Sequence, residues 1–552
     1  MTGRAHADYL ALGGDEVVMS MKLLLGDGAV AQAAIDAGIA GAFAYPGTPA
    51  TEIFEYIAEH AQPLGLSANW SANEKVAYEE ALGMSYVGRR AIVSMKHVGL
   101  NVAADPFMNS ALTGINGGLV LAVADDPGMH SSQNEQDSRY YGDFAQVPVF
   151  EPATQQEAYD FTLRAFEYSE QVGLPVMVRL VTRLCHSRAN VRLLDDKRVV
   201  EQRPRPTGNN WTLVPSIARA RYSALVEAQP RLLDDAQKSP LNKLRLAGRR
   251  GVIACGIAHN YLLEANDGPG DLSILQIGQY PVPATLVREL IGHCDDILVA
   301  EDGYPFVERK LLGVLGVPGK RIRGRLSGDL PATGELSSDL LASAIGLPAR
   351  ATKTHDGLAA RPPQLCRGCP HIDSFKAIID ATTGGDAPFL FSDIGCYTLG
   401  VMPPYRAVHT CVDMGSSIAM AHGAARAGAY PVLCTIGDST FAHSGMTPLI
   451  GAVQQDANMT VLILDNSTTA MTGAQDSLTS GSRLVDVVRG LGVKPEHLHI
   501  IDPHPSHHAE SVEVIRKAVA HRGLSVIIAE RECIHLKVKN KAEAEHAAQV
   551  SS

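Results

Sequence analysis

The chain has 552 residues, 45% of them hydrophobic and 19% charged, which is typical of a globular protein with several packed domains and excludes an intrinsically disordered one. Its 48 basic and 59 acidic residues leave a formal net charge of −11, which removes the electrostatic basis for general nucleic-acid binding. No apolar stretch reaches the roughly 18 residues of a membrane helix and residues 1–15 show no signal pattern, so we expect a cytoplasmic protein without a membrane anchor.

The first region, residues 1–195, alternates short apolar runs with helical patterns. The runs that we interpret as buried strands are 41–44, 91–95, 118–124 and 175–180. Alternation of this kind predicts an α/β fold in which helices cover both faces of a parallel sheet. Residues 196–248 are charged and interrupted by prolines, and they are interpreted as a linker or small helical insert.

Two further α/β regions follow. The second spans 249–350, and a polar, proline-rich passage at 353–363 leads into the third, 351–540. Residues 541–552 are rich in Lys, Glu and Ala and are predicted to be a flexible tail. The first and third regions share one architecture, as two related modules would. The strands predicted in the third region are 388–391, 431–436, 460–464 and 524–529.

Polar residues follow two of these predicted strands. Gly437-Asp438-Ser439 ends one strand, and Asn466 ends the next after an intervening helix at 446–455. A right-handed crossover places both ends at one edge of a parallel sheet. The Asp438 carboxylate, the Asn466 amide oxygen and a nearby backbone carbonyl, that of Thr468, are hard oxygen ligands suited to Mg²⁺. Taken singly, each motif is also typical of an ordinary turn.

Together these motifs resemble a thiamine-diphosphate signature, because 26 residues separate Ser439 from Asn466. Ser439 replaces the last glycine of that signature, and Gly437 is expected to let the backbone turn tightly beside the phosphates. From about residue 22 to 537 the chain resembles the α subunits of the indolepyruvate:ferredoxin oxidoreductase family. The further segments that carry the resemblance begin at Tyr45-Pro-Gly-Thr-Pro, Asn73-Glu-Lys, Ser94-Met-Lys-His, Ala124-Asp-Asp-Pro-Gly and Asp465-Asn-Ser.

The resemblance implies a pyrimidine-binding domain first, a transketolase C-terminal-like domain in the middle and a diphosphate-binding domain last. It implies thiamine diphosphate with Mg²⁺, a small β subunit and an α2β2 assembly. The implied reaction, of the EC 1.2.7 type, decarboxylates aryl pyruvates such as indolepyruvate or phenylpyruvate oxidatively to an acyl-CoA and CO₂. The need for coenzyme A comes from the resemblance alone.

Three residues of the first region are candidates for catalysis, the first two by resemblance and the third by its position. Glu74 holds the position of the carboxyl group that contacts the thiamine pyrimidine ring, although Ser71-Ala-Asn-Glu74 also matches a helix capping box. Thr48 stands where relatives place a hydroxyl near the 2-oxoacid carboxylate, and otherwise would cap a helix opening at Pro49. His97 follows a strand beside Lys96, and a structural role is the alternative for it.

The third region contains four cysteines of interest. Cys366 and Cys369 form a Cys-x-x-Cys pair near its start, Cys396 follows, and Cys533 comes after the last predicted strand. The resemblance implies that they bind one 4Fe-4S cluster close to thiamine. Zinc bound by the same thiolates, or four unligated thiols, are the alternatives. Cys411 could replace Cys533 as the fourth ligand.

The printed chain has no cysteine after Cys533, whereas typical α subunits of the family end in a ferredoxin-like domain that carries two clusters. We therefore expect electrons to leave through the partner subunit or an uncharacterised acceptor, either ferredoxin or another carrier. Two other functions stay open: a non-oxidative thiamine-dependent decarboxylase or carboligase, and a non-catalytic scaffold subunit.

Overall fold

The computed structural model describes residues 19–194, 200–204, 206, 211–313, 316–348, 363–384 and 388–538. The chain divides into two compact units, Met1–Thr352 and Lys353–Ser552. The predicted tail at 541–552, residues 1–15 and most of the proline-rich passage at 353–363 lie outside the described residues. Within the described ranges, no helix combines the length and apolar character needed to cross a membrane.

The first unit contains two larger parallel or mainly parallel sheets with helices around them. Its strands are β1 (Met19–Leu25), β2 (Gly41–Ala44), β3 (Ser67–Trp70), β4 (Ala91–Lys96), β5 (Leu119–Asp125), β6 (Val149–Phe150), β7 (Val176–Val181), β8 (Arg188–Leu194), β9 (Lys243–Arg245), β10 (Arg250–Cys255), β11 (Ser273–Ile277), β12 (Gln279–Tyr280), β13 (Asp296–Ala300) and β14 (Arg321–Arg323). Its helices are α1 (Gly26–Asp36), α2 (Thr51–Leu64), α3 (Glu74–Tyr86), α4 (His97–Val102), α5 (Ala104–Thr113), α6 (Arg139–Ala145), α7 (Gln155–Val172), α8 (Thr182–His186), α9 (Pro215–Lys238), α10 (Ile257–Ala265), α11 (Ala284–His293), α12 (Phe306–Leu312) and α13 (Ser338–Ala344).

The larger sheet of this unit has the strand order β12-β6-β7-β5-β4-β2-β3 and is parallel except between β12 and β6. Strands β2, β4, β5 and β7 are buried along their whole length, because helices cover both faces. The four strands predicted in this region are therefore confirmed to within one or two residues. The two-residue strands β6 and β12 are too short to leave a periodic signal in the sequence.

The second sheet of the first unit has the order β14-β13-β10-β11-β9. Helix α9 occupies much of the predicted linker or insert at 196–248, and β9, near its end, pairs antiparallel with β11. Strand β12 directly follows β11 in the chain but pairs with β6 of the larger sheet. The sequence region 249–350 thus supplies strands to both sheets.

Buried ion pairs join these parts of the first unit. Arg179 Nε lies 2.7 Å from Asp125 Oδ2, and Arg139 Nη1 lies 2.9 Å from Glu301 Oε2. All four side chains are almost fully shielded from solvent. Arg179 and Asp125 join two strands of the larger sheet, whereas Arg139, in α6, reaches Glu301 at the end of β13 in the second sheet. Removing one partner of either pair would leave a buried charge uncompensated.

The second unit is built on a five-stranded parallel sheet with the order β15-β16-β17-β21-β20 and a separate hairpin, β18-β19. All four predicted strands and the helix predicted at 446–455 are confirmed. The edge strand β20 was not predicted, because it is half exposed and short. The strands are β15 (Phe389–Phe391), β16 (Val432–Gly437), β17 (Met459–Asp465), β18 (Thr468–Thr469), β19 (Gln475–Asp476), β20 (Leu498–Ile501) and β21 (Leu524–Glu530), and the helices are α14 (Pro370–Thr382), α15 (Ser416–Arg426), α16 (Asp438–Thr440), α17 (Met446–Gln454), α18 (Gly481–Gly490) and α19 (His508–Ala520).

Candidate functional site

Two neighbouring strands of the second unit end at the predicted metal ligands. Strands β16 and β17 pair in parallel, with Gly437 opposite Leu464. Asp438 begins α16 directly after β16, and Asn466 follows β17. Both side chains are buried, with exposures of 1% and 7%. The crossover therefore brings the two residues to one edge of the sheet, as the sequence pattern predicts.

The side-chain amide of Asn466 meets two oxygen atoms at this edge. Its inward-facing terminal atom lies 3.1 Å from Oδ1 of Asp438 and 2.8 Å from the carbonyl oxygen of Thr468. With the amide nitrogen facing inward, these contacts are two hydrogen bonds; with the amide oxygen facing inward, a cation among the three oxygens would make them favourable. The second carboxylate oxygen of Asp438, Oδ2, is buried and has no hydrogen-bond partner among the described groups.

The electrostatics of Asp438 also fit a cation. Burial, with the nearby charge of Asp465, raises the pKa of Asp438 to about 7. A divalent ion would compensate the buried charge, and a carboxylate, an amide oxygen and a carbonyl are the donors that Mg²⁺ accepts. The hydroxyl of Thr468 donates to the carbonyl oxygen of Gln475 at 2.7 Å, so Thr468 offers its carbonyl to this oxygen cluster.

The expected reason for a glycine at position 437 is wrong. Gly437 has φ −79° and ψ 159°, an extended conformation open to any residue. A side chain there is excluded because its Cβ would lie 2.8 Å from Cε1 of Tyr397. Next to it, the hydroxyl groups of Ser439 and Thr469 are 2.7 Å apart, so the serine that replaces the signature's last glycine is held by a hydrogen bond.

Four cysteine thiols of the second unit lie close enough to influence one another. Burial raises the pKa of Cys396 to about 12, and the charges of Cys369, Cys533 and Cys366 add to the rise. Burial likewise raises the pKa of Cys369 to about 11, with Cys366 and Cys533 contributing. The structure thus brings together the four cysteines that the sequence singled out.

The fifth candidate, Cys411, is exposed, and its thiol contacts the hydroxyl of Thr398 at 3.9 Å. Burial of the thiol and the charges of Asp393 and Asp413, rather than the other cysteines, raise its pKa. A different side chain reaches the group: Nε2 of His535 lies 3.3 Å from Sγ of Cys366. His535 lies only two residues after Cys533, a spacing that the sequence reading overlooked.

The spacing of the four thiols bears on the ion that they could bind. Four thiolates around one zinc require sulfur atoms about 3.8 Å apart, because the Zn–S bond is about 2.3 Å and the geometry is tetrahedral. Among the described residues, no three of these thiols have sulfur atoms that all lie within 4.8 Å of one another. The group is therefore wider than a single-ion site.

In the first unit, Glu74 is buried at the first position of α3. The cap of that helix is Asn73, whose Oδ1 accepts from the backbone N–H of Val76 at 2.9 Å. Ser71 instead donates to Glu80. The capping-box interpretation of Ser71 and Glu74 is therefore wrong, because Asn73 is the cap of this helix.

A glycine leaves the space that the Glu74 carboxyl occupies. A Cβ on Gly99, in helix α4, would lie 2.6 Å from Oε1 and 2.7 Å from Cγ of Glu74. The Glu74 side chain therefore packs directly on the backbone of the helix that begins with His97. No periodic or turn pattern in the sequence indicates this role of Gly99, because the requirement is a contact between distant segments.

The alternative role expected for Thr48 is also wrong. Helix α2 begins at Thr51, not at Pro49, and Thr48 caps no helix. The backbone N–H of Gly47 donates to Oγ1 of Thr51 at 3.0 Å, and Ser131 Oγ donates to the carbonyl oxygen of Thr48 at 3.4 Å. The half-buried side chain of Thr48 is thus presented on a loop that its backbone contacts hold.

His97 and Lys96 lie beside this loop. Ser131 also accepts, through its carbonyl oxygen, a hydrogen bond of 2.7 Å from Lys96 Nζ, and burial lowers the pKa of Lys96 to about 8. His97 Nε2 contacts Oδ1 of Asn134 at 3.1 Å, whereas its Nδ1 is buried with no hydrogen-bond partner among the described groups. This imidazole nitrogen is therefore shielded from solvent without a hydrogen bond from the described part of the chain to satisfy it.

The sequence reading missed His371, which follows Cys369 and Pro370. It is 2% exposed, and burial lowers its pKa to about 4. Its Nε2 lies 3.5 Å from Nδ2 of Asn466. A neutral imidazole therefore lies between the cysteine pair and the oxygen cluster, and its position directly after the Cys-x-x-Cys motif is the signal that could have indicated it.

Two family models match the chain. The model described as a thiamine pyrophosphate enzyme, C-terminal TPP binding domain, matches residues 393–529, which include Asp438 and Asn466. The model described as pyruvate flavodoxin/ferredoxin oxidoreductase, thiamine diphosphate binding, matches residues 32–230, which include Glu74, Thr48 and His97.

Curated proteins match over most of their length. Indolepyruvate oxidoreductase subunit IorA of Archaeoglobus fulgidus is 38% identical over 92% of this chain and 86% of that protein. The IorA subunits of Methanothermobacter thermautotrophicus and Pyrococcus horikoshii are 38% and 35% identical, over 93% of this chain and 86% and 85% of those proteins. A 2-oxoglutarate:ferredoxin oxidoreductase from Magnetococcus marinus superposes with a TM-score of 0.49 at 14% identity, over 59% of this chain and 64% of that chain.

Proposed function

This chain belongs to the family of the indolepyruvate oxidoreductase subunits IorA, and from that membership we propose that it is the thiamine-dependent catalytic subunit of an aryl-pyruvate oxidoreductase. The observation that carries the proposal is the buried carboxylate of Asp438, whose Oδ2 has no partner among the described groups, beside the Asn466 amide and the Thr468 carbonyl at the edge of a parallel sheet. Family membership favours oxidation over the non-oxidative decarboxylase alternative.

The overall reaction proposed is R–CO–COO⁻ + CoA–SH → R–CO–S–CoA + CO₂ + H⁺ + 2 e⁻. R is an arylmethyl group, as in indolepyruvate or phenylpyruvate. Two electrons must leave for each carbon–carbon bond that is broken, so the protein needs an electron acceptor as well as thiamine diphosphate.

Asp438, Asn466 and the carbonyl of Thr468 are proposed to bind the Mg²⁺ that anchors the diphosphate group. Their buried oxygens, and the lack of a partner for Oδ2 of Asp438, support this assignment. Gly437 and Ser439 border this site. When bound, thiamine diphosphate supplies a carbon nucleophile that attacks 2-oxoacids.

Glu74 is proposed to share a proton with the pyrimidine ring of the cofactor. Its burial and its tight packing against Gly99 support a fixed position for the carboxyl group, and proton transfer by a side chain requires such positioning. Thr48 is proposed to donate its hydroxyl to the substrate carboxylate. His97 is proposed to bind a polar group of the substrate through its unpartnered Nδ1.

Cys366, Cys369, Cys396 and Cys533 are proposed to bind one 4Fe-4S cluster that accepts the electrons. The mutual influence of the four thiols supports a common site, and their spread beyond single-ion spacing favours a cluster over zinc. We further propose a small β subunit as partner in an α2β2 assembly, with ferredoxin or another low-potential carrier as the final acceptor.

The experiment that tests the function uses the chain produced without oxygen together with its partner subunit. Indolepyruvate, coenzyme A, thiamine diphosphate, Mg²⁺ and a low-potential dye are supplied, and dye reduction and products are measured. We expect indoleacetyl-CoA and one CO₂ for every two electrons transferred. Release of indoleacetaldehyde without dye reduction would instead support the non-oxidative decarboxylase.

A further inference from the structure

A buried carboxylate in the first unit lacks the partners that such a group normally requires. Asp27, in the first turn of α1, is fully shielded from solvent. Neither of its two carboxylate oxygens has a conventional hydrogen-bond partner among the described groups, and the Cys185 thiol, a weak donor, is one polar group beside it. A buried carboxylate without donors is costly. Its place in a first helical turn explains a preference for acid but does not supply the missing contacts.

Two other potential ligands meet Asp27 at this point. They are Glu52, in the first turn of α2, and His186, at the end of α8. One carboxylate oxygen of Asp27, one of Glu52 and one ring nitrogen of His186 all lie within 4.8 Å of one another. Nε2 of His186 is 3.5 Å from Oε1 of Glu52, and the other Glu52 oxygen is buried without a hydrogen-bond partner.

The group is closed on one side and open on the other. Asp27 is fully buried, whereas the side chains of His186 and Glu52 are 36% and 37% exposed. An ion could therefore enter from solvent and reach the buried carboxylate. Two carboxylates and a neutral imidazole would balance the charge of a divalent cation without leaving a buried net charge.

We propose that Asp27, Glu52 and His186 bind a divalent transition-metal ion, in addition to the cation proposed at Asp438. One imidazole nitrogen and two carboxylate oxygens are typical ligands of Zn²⁺, Mn²⁺, Fe²⁺ and Co²⁺, and the nitrogen ligand disfavours Mg²⁺ and Ca²⁺. Bound there, the ion would join the first turns of α1 and α2 to the end of α8.

A competing explanation is a proton. Burial, together with the charge of Glu52, raises the pKa of Asp27 to about 8, so the two carboxyl groups could share one hydrogen instead of a metal. The two explanations differ in stoichiometry, because only the metal site binds an additional ion.

The test titrates Co²⁺ into the full chain saturated with thiamine diphosphate and excess Mg²⁺, with calorimetry to count the sites. Asp27→Asn keeps the shape of the side chain, and His186→Ala removes a half-exposed ligand without opening the core. His130→Ala is the matched control, because His130 is also a partly exposed imidazole next to a carboxylate, that of Glu335. Any Co²⁺ bound by the cysteine thiols is common to all four proteins.

We expect wild type and His130→Ala to bind one more Co²⁺ than Asp27→Asn and His186→Ala, or to bind it at least about tenfold more tightly. Crystals soaked in Co²⁺ should show an anomalous difference peak between the three side chains. Equal stoichiometry and affinity in all four proteins, with no such peak, would overturn the metal site and leave the shared proton as the explanation. If Asp27→Asn does not fold, the comparison of His186→Ala with His130→Ala decides the matter.

Discussion

The backbone N–H of Cys533 donates to the carbonyl oxygen of Asn466 at 3.0 Å. This hydrogen bond ties the last of the four grouped cysteines to the residue whose amide faces Asp438. Next to it, the backbone N–H of Arg531 donates to the carbonyl oxygen of Asp465 at 2.9 Å. Because β17 and β21 are adjacent parallel strands, the segments that follow them leave the sheet side by side. The thiol group and the oxygen cluster are therefore built on one framework.

The first prediction concerns the iron content of cysteine variants. We expect anaerobically purified protein to contain about four iron and four acid-labile sulfide per chain, and Cys533→Ser to lose most of both. Cys411→Ser should match wild type, because the charges that raise the pKa of Cys411 are those of Asp393 and Asp413 and not those of the four thiols. The measurement is iron and sulfide analysis with the visible absorption spectrum.

Two results would contradict the cluster. One zinc per chain that is lost in Cys533→Ser would support the structural zinc alternative. Equal metal content in the Cys533→Ser and Cys411→Ser variants would remove Cys533 from the ligand set. The relation between Cys533 and Asn466 uses backbone atoms only, so the serine variant should keep its fold.

The second prediction concerns Asp438→Ala. Alanine removes the carboxylate that lies beside the Asn466 amide and the Thr468 carbonyl. Binding of thiamine diphosphate with Mg²⁺ should therefore weaken at least about a hundredfold. Asp476→Ala is the control, since Asp476 is exposed on the nearby hairpin. Equilibrium dialysis measures both, and unchanged binding in Asp438→Ala would refute the anchor.

The third prediction concerns the stability of the metal-free protein. The pKa of Asp438 is raised above its ordinary value of 3.8 to about 7. Between about pH 4 and pH 7, Asp438 therefore keeps its proton in the folded state, whereas the same group has lost it in the unfolded state. This group therefore lowers the free energy of unfolding as pH rises from about 4 to 7. We expect metal-free Asp438→Asn to gain stability relative to wild type between pH 5 and pH 8, measured by urea unfolding. A constant difference across this range would contradict the raised pKa.

The sequence was sufficient to predict those parts of the fold and site that depend on local pattern. Buried parallel strands such as β4 and β17 are continuous apolar runs, and polar residues that follow them, such as Asp438, necessarily lie at one sheet edge. Contacts between distant segments leave no such pattern. The cap at Asn73, the ring of Tyr397 against Gly437 and the thiol of Cys366 beside His535 depend on tertiary packing, and single-sequence reasoning missed or misassigned them.

The fourth prediction concerns Glu74→Gln. Because Asn73 and not Glu74 caps α3, the loss of the carboxylate should lower stability by no more than about 1 kcal/mol, the contribution of an acid in a first helical turn. Thiamine diphosphate should still bind, but proton exchange at its C2 atom should stop, because an amide cannot share a proton as a carboxyl group does. Deuterium exchange followed by NMR measures this rate, and a normal rate would assign Glu74 a structural role only.

The last prediction separates the position of Glu74 from its chemistry. In Gly99→Ala the new methyl group would lie 2.6 Å from Oε1 and 2.9 Å from Cδ of Glu74, so the carboxyl group must move while keeping its charge. The new methyl group would also lie 2.7 Å from Cγ of Glu74, so the buried side chain must move from its base outward, at a cost in stability. The preference of alanine over glycine for a helix offsets this cost by up to about 1 kcal/mol, and thermal stability should fall without loss of the fold. Turnover should fall by about a hundredfold, as expected when a reacting group shifts by about 1 Å.

Gly83→Ala is the matched control for this variant, because Gly83 is also a helical glycine, in α3, and a Cβ there meets nothing within 4 Å. It should keep full turnover and gain up to about 1 kcal/mol of stability. The C2 exchange rate provides the deciding measurement, since a shifted carboxyl slows exchange whereas a general loss of folding would lower thermal stability first. If Gly99→Ala exchanges and turns over like Gly83→Ala, the contact between Gly99 and Glu74 does not position the carboxyl group for catalysis, and the proposed role of Glu74 loses its geometric support.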